Sequence, residues 1–491
     1  MYNRLNLQDE EVLTEEHIKH IEDGILDACS KPTSPSVNGY FSGCADWPTL
    51  NTDIAHIVCY GQSLSNGSSS VACGDAAVDG AYVLGSIAQS SGTSLSPLRL
   101  TSGTQHPIAT ACNVLATLLH KHCNNAIDII AGSYGAGGQS IAQLMSATRQ
   151  AQIKKDEGYT YNCVSSGKYA VFEASVDAVA NYANTNSRTV GCPAIVFLQG
   201  ERDYYTDEGL GFDEEQPGSN SAAYAAGGDK EKYKLYMSYL KEDMQNKVMT
   251  SYGQETKPLF CIYQVSGAFV KNSDVTINMA QLEFAQENDD VILIQTPYFT
   301  PQYSDSHLST NGYRWLGEYI GKYLFEALVN RSKPFPLMPV AFDCDANTIR
   351  VKLNKAVDGL TVDTYTVENA STAKNLYGFT VYVDGTLYVP TSLKVYGDEI
   401  ILKATNGFGN IETATSAKVE YAGVDARGTG NIRDNCRYVA LYNYLDDSSD
   451  KGSSGNLTIN NTAKDKNGES IVGRKYPMFN WLCSFCYEIR A

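Results

Sequence analysis

The chain has 491 residues, of which 43% are hydrophobic, and a formal net charge of −17. Its length exceeds one ordinary domain and predicts about three, with ample apolar material for real cores. The acidity, with no local basic patch, excludes a basic nucleic-acid groove, and no run of about 18 apolar residues predicts insertion in a membrane.

The N-terminal stretch "MYNRLNLQDEEVLTEEH" is charged and lacks the apolar core of a signal peptide, which predicts synthesis in the cytoplasm without one. Residues 13–25, "LTEEHIKHIEDGI", predict a short helix: Thr14 suits the N-cap, and Ile18, Ile21 and Ile25 fall on one stripe. The following Ser-, Pro- and Gly-rich stretch 30–48 reads as a linker, so residues 1–48 form a small module of their own. From 49 to 332 the pattern alternates. Apolar runs "IAHIVCY", "AIDIIAGSYG", "PAIVFLQG", "LFCIYQVSG" and "DVILIQTPYF" are separated by helical stretches at 107–121, 139–155, 169–184, 229–249 and 311–329. Continuous apolar strands spaced by helices predict an α/β domain with a parallel sheet covered on both faces. Chemistry in such sheets gathers beyond the carboxyl ends of the strands.

The Pro-rich junction "RSKPFPLMP" (331–339) ends this pattern. Residues 338–491 then alternate with period two, in "TIRVKLN", "FTVYVDGTLYV", "EIILKAT" and "AKVEYAG". Asp384-Gly385 is a hairpin signal, and the region predicts a β-sandwich. The polar stretch 446–470 predicts a loop. The 13 cysteines are scattered, and Cys59, Cys192 and Cys261 sit in apolar runs, which predicts reduced, buried thiols. Cys483 and Cys486 form a "CSFC" pair without two further ligands at zinc spacing, so no metal is expected there.

The first apolar run breaks into Gly61-Gln62-Ser63. A serine there satisfies a turn, or it is a nucleophile at the mouth of a sheet, in which case an imidazole must take its proton. Of the seven histidines, His56 lies within the strand before Ser63, and His120 and His122 lie at a helix end. His307 sits in a polar turn ahead of a helix, with Asp305 two residues before it. A carboxylate beside a histidine holds its tautomer, although Asp305 and Ser309 serve equally as turn and cap residues. The glycine-rich bend "SYGAGGQSI" (133–141) follows a strand and exposes backbone N–H groups suited to an oxyanion. "FLQGERDYY" (197–205) ends another strand with Gln199, Glu201 and Asp203. Each of these also reads as plain turn chemistry.

Together the blocks resemble the SGNH (GDSL-like) hydrolases, in particular the sialate O-acetylesterase and acetylxylan esterase-like branch. The matching blocks are Gly61-Gln62-Ser63, Gly137-Gly138-Gln139-Ser140-Ile141, Gln199-Gly200-Glu201-Arg202-Asp203, and His307-Leu308 with Gly312-Tyr313. The resemblance implies an SGNH-type, flavodoxin-like three-layer sheet. It implies Ser63 as nucleophile, His307 as base and Asp305 as acid, with an oxyanion hole made by the Ser63 and Gly138 N–H groups and the Gln199 amide. Gln62, Glu201 and Asp203 would support the site. One departure stands out: the family commonly places its acid three residues before the histidine, a position held here by Ser304. A Ser–His dyad aided by a backbone carbonyl therefore stands beside the triad.

"VLTEEHIKHIEDGI" is similar to a segment near the start of phage tail and baseplate-associated proteins, and "GTGNIRD" (428–434) resembles the end of accessory β-domains attached to such esterases. The function implied is a serine esterase, a carbohydrate O-acetylesterase that needs no cofactor. Its substrate would be an O-acetylated surface glycan, sialic acid or another polysaccharide. The N-terminal module would join it to phage tail or baseplate subunits on a virion, and a homo-oligomer is compatible with this reading. The rivals are a non-catalytic tail or glycan-binding protein on the same scaffold, and a lipase or thioesterase.

Overall fold

A computed structural model describes residues 47–123, 127–211, 222–304, 307–446, 450 and 463–490. The helix expected at 13–25 with its tail-protein resemblance, nearly all of the linker, Asp305, residues 212–221 and most of the loop expected at 446–470 lie outside the described residues. Strands β1 (Ile54–Gly61), β2 (Ala81–Ser86), β3 (Gln89–Pro97), β4 (Asp128–Ser133), β5 (Val190–Leu198), β6 (Leu259–Ile262) and β7 (Val291–Leu293) form one sheet, ordered β3-β2-β4-β1-β5-β6-β7. All neighbours run parallel except the edge pair β2–β3. The strands read as apolar runs because both faces are covered; β1 is buried along its whole length.

Helices α1 (Pro107–Cys123), α2 (Ala147–Glu157), α3 (Lys168–Thr185), α4 (Lys230–Tyr252), α5 (Thr276–Glu287) and α6 (Thr310–Leu328) supply the cover. α1 packs on β4 and β1 and against α6, while α3, α4 and α5 form the other layer. α1 and α6 approach closely because α6 turns glycines toward α1. A Cβ at Gly317 would stand 2.5 Å from Pro107 O, and one at Gly321 would stand 2.7 Å from Val114 Cβ.

Three elements differ from the sequence reading. The β2–β3 hairpin and α5 were not expected. β3 is a Ser- and Gly-rich edge strand, mostly exposed, and carries no apolar run. The helix expected from 139 begins only at Ala147, where the Ser146 hydroxyl accepts from Arg149 N. Ahead of it, Ser140 is held by its hydroxyl on Ala223 O and its backbone N–H on Gln143 Oε1, which keeps the bend open.

After β7, short strands β8 (Gln302–Ser304) and β9 (His307–Leu308) pair antiparallel just before α6. The C-terminal region is β-rich. β10 (Pro339–Cys344), β11 (Thr348–Leu353), β12 (Leu360–Val362), β13 (Phe379–Val383), β14 (Thr386–Tyr388), β15 (Ser392–Tyr396), β16 (Glu399–Lys403), β17 (Ala417–Tyr421), β18 (Ile432–Asp434), β19 (Val439–Asn443), β20 (Lys475–Pro477) and β21 (Phe485–Arg490) follow in order. They form two four-stranded antiparallel sheets, β10-β11-β16-β15 and β14-β13-β17-β21, with the pairs β12-β18 and β19-β20 beside them. The two large sheets meet where Phe342 packs on Phe485 and Tyr487. Asp384 and Gly385 turn the β13–β14 hairpin with φ of 46° and 79°, as a two-residue hairpin turn with both central φ values positive requires.

Gly43–Ala491 cluster as one compact unit. A buried seam joins the β-rich region to the α/β sheet: Phe299 stacks on Trp481 at 5.3 Å, the Tyr298 hydroxyl donates to Leu482 O at 2.7 Å, and Gln264 exchanges two hydrogen bonds with the Ser484 backbone. The "GTGNIRD" stretch is part of this joinery. Gly428 lies so close to the loop after β6 that a Cβ would stand 2.4 Å from Gly267 O. Arg433 pairs with the fully buried Asp363 at 2.6 Å and lies over the Phe479 ring at 3.6 Å. Among the described residues no helix is long and apolar enough to cross a membrane.

Candidate active site

Three of the sequence blocks follow the three adjacent strands β4, β1 and β5, at their carboxyl ends. β1 ends at Gly61 with φ +134°, and a Cβ there would stand 2.1 Å from Leu198 O. Only glycine lets the chain leave β1 this close to β5. Gln62 N then donates to Leu198 O at 2.9 Å, and Ser63 opens a single 3₁₀ turn, Ser63–Asn66. The turn is braced from β4: the Ser133 hydroxyl donates to Ser65 O at 2.8 Å, and Ala136 N donates to Gly61 O at 2.9 Å. Ser63 is 6% exposed. The bend after β4 lies beside it, since a Cβ on Gly137 would stand 3.7 Å from the Ser63 Cβ. Among the described residues no acceptor takes the Ser63 or the Gly138 N–H.

The block after β5 is fully buried at Gln199 and Asp203. The Gln199 side-chain nitrogen lies 3.2 Å from Gln62 Oε1, 3.1 Å from Gln139 O and 2.6 Å from Asp203 Oδ2. Its oxygen accepts from the Tyr233 hydroxyl at 2.8 Å. Gln199 thus ties all three blocks together. Asp203 accepts from Ile141 N and Ala226 N, both at 2.9 Å, as well as from Gln199. Burial pushes its carboxyl up to about 6, against the pull of those N–H donors. Glu201 accepts from the Tyr263 hydroxyl, while its Oε2 is buried without a partner. Burial pushes this carboxyl up to about 7. Asp203 therefore holds the loop, and Glu201 sits beneath it as a buried acid.

β9, which carries His307, packs against the Ser63 turn. The start of α6 is sewn to the chain just beyond that turn. Thr310 Oγ1 donates to Val71 O at 2.7 Å and accepts from Val71 N at 3.2 Å, and the Tyr313 hydroxyl donates to Ser68 O at 2.9 Å. His307 is half-buried, and burial lowers its imidazole below the ordinary 6.5. The histidine of β1 stands in a different setting. His56 is fully buried between the hydroxyls of Tyr252 at 2.6 Å and Tyr134 at 2.9 Å, and burial lowers it to about 3.

Sequence reasoning missed Tyr233, Tyr263 and Gln281, whose amide donates to Gln199 O at 2.8 Å. These residues lie in α4, after β6 and in α5, and no local spacing links them to Gln199. Cys483 and Cys486 carry free thiols, and burial raises both. Among the described residues no three His, Cys, Asp or Glu side chains gather as a metal site.

No family model matches the sequence, and neither does any curated protein. NanS aligns with a TM-score of 0.34 at 13% identity, covering 54% of this chain and 81% of its own. Axe2, an acetylxylan esterase from Geobacillus stearothermophilus, aligns with a TM-score of 0.27 at 11% identity, covering 56% of this chain and 94% of its own. A carbohydrate acetylesterase from Xanthomonas citri aligns with a TM-score of 0.51 at 10% identity, over 88% of this chain and 80% of its own. The fold of this chain, an α/β sheet with a β-rich C-terminal region, is similar to that of the Xanthomonas protein.

Proposed function

We propose that the chain is a carbohydrate O-acetylesterase with Ser63 as nucleophile. The observation that carries this reading is the convergence of the Ser63 turn, the Gly137-Gly138 bend and Gln199 at the ends of β1, β4 and β5, with the His307 strand packed against the turn. The fold likeness to a carbohydrate acetylesterase supports it. Ser63 Oγ attacks the acetyl carbonyl as His307 takes its proton. The Ser63 and Gly138 N–H groups face the oxyanion, joined by the Gln199 amide once it yields one of its internal acceptors. His307 returns the proton to the departing sugar oxygen, leaving acetyl-Ser63. Water, deprotonated by the same imidazole, then releases acetate. Acetate release from a panel of O-acetylated glycans, with rates on acetyl and octanoyl esters side by side, tests the reading. Preference for octanoyl would indicate a lipase or thioesterase, and no turnover of any ester a binding protein.

Two outcomes are expected within this reading. Gln199→Ala should lower kcat by about 10²–10³-fold with KM little changed, as for other side-chain oxyanion donors. A loss confined to KM would make Gln199 a substrate-binding residue instead. The second concerns pH. The base must be neutral to accept the serine proton, and burial lowers His307 below 6.5. The acidic limb of kcat/KM should therefore have its midpoint below 6.5, with a plateau by neutral pH. A kcat/KM that shows no acidic limb between about pH 5 and 8 would be incompatible with His307 as the base.

A further inference from the structure

We propose that Asp450, from the C-terminal β-rich region, is a positioning residue for His307. The inference rests on the reading of His307 as the base. Asp450 is fully buried. Its carboxylate accepts from Asn311 N at 2.9 Å and from the Ser309 hydroxyl at 3.1 Å. Both donors belong to the N-terminus of α6, two and four residues beyond His307. A helix start leaves four N–H groups without intrahelical partners and carries partial positive charge, so a carboxylate there is favoured. In α6 the Ser309 hydroxyl takes Gly312 N at 3.1 Å, Ser309 O takes Tyr313 N at 2.9 Å, and Asp450 takes Asn311 N.

The same turn leaves little slack. Ser309 N donates to Pro301 O at 3.0 Å, and a Cβ on Gly312 would stand 2.5 Å from Pro301 O. Neighbouring contacts extend the clamp. Asn311 exchanges hydrogen bonds with the Leu445 backbone at 3.0 and 2.8 Å. Arg314 joins Asp75, beyond the Ser63 turn, to Asn443 O at 2.9 Å. The C-terminal region thus holds one side of the α6 start while the loop 68–75 holds the other. His307 is set against Ser63 by a contact from 139 residues away in sequence, the Asn311–Asp450 separation.

The test uses the full chain and p-nitrophenyl acetate. Asp450→Asn should lower kcat about 10–100-fold with KM nearly unchanged, the scale of a misplacement near 1 Å, and Asp450→Glu should recover part of it. Glu318→Gln provides the structural control. Glu318 is buried and accepts from Leu441 N and Tyr442 N farther along α6, so its loss should lower the melting temperature and leave kcat in place. Should Asp450→Asn fail to fold, Ser309→Ala removes one donor to the carboxylate and is read the same way. The proposal is overturned if Asp450→Asn keeps kcat within about twofold, or if Glu318→Gln loses kcat equally at matched melting temperature. His307→Ala separates the two levels. Its full activity would sink the base assignment, whereas an inactive His307→Ala beside a wild-type Asp450→Asn would sink only the positioning role.

Discussion

Ser63→Ala is expected to lower kcat on short acetyl esters by about 10⁶-fold, the scale at which a triad nucleophile contributes. Its melting temperature should stay near that of the parent. The hydroxyl makes no hydrogen bond among the described residues. The turn is instead held by Ser65 and Ser133 hydroxyls and by backbone bonds. Removing one oxygen from Ser63 therefore removes chemistry and little stability. Retention of more than a small fraction of kcat in a folded variant would show that another group attacks the ester. Covalent labelling of Ser63 by an organophosphonate, with loss of activity in step, checks the same assignment on the unaltered protein.

Asp305→Asn should lower kcat by about 10⁴-fold, as expected when the carboxylate that holds a histidine tautomer becomes an amide. Asp305 is the nearest acid in sequence to His307, at two residues rather than the family's usual three. A loss of about tenfold or less, in a variant that melts like the parent, would refute the triad and leave a Ser–His dyad. The two outcomes also differ in pH profile. A carboxylate partner stabilises the imidazolium, so its loss would move the acidic limb of kcat/KM to lower pH. A residue that only shapes the turn would leave the limb where it is.

Much of the α/β sheet was legible because its information is local. β1, β4, β5, β6 and β7 each coincide with an apolar run, since strands buried on both faces must be apolar throughout. The Asp384-Gly385 hairpin was legible for the same kind of reason: two adjacent residues at positive φ make that turn by themselves. The β2–β3 hairpin was not, because an exposed Ser-rich edge strand has no hydrophobic period to read.

The candidate site divides in the same way. Ser63, the glycine bend, Gln199 and His307 could be singled out because each block carries its residues within a few positions. That three of the blocks meet follows from strand order, β4-β1-β5, which no local pattern encodes. The surroundings of His56 were decided in three dimensions as well: it stands seven residues before Ser63, yet two tyrosines from β4's end and α4's end enclose it in the sheet. "GTGNIRD" drew attention as a motif, and only packing assigns it to joinery through Gly428, Asp363 and Phe479. Asp450 lies farthest from local reading. One aspartate of the three in "DDSSD" (446–450) has no period and no spacing to mark it, and its partners at the start of α6 are supplied solely by the folded chain. Backbone conformation is selected by neighbours a few bonds away, whereas a buried carboxylate is stable only where the whole fold brings it donors.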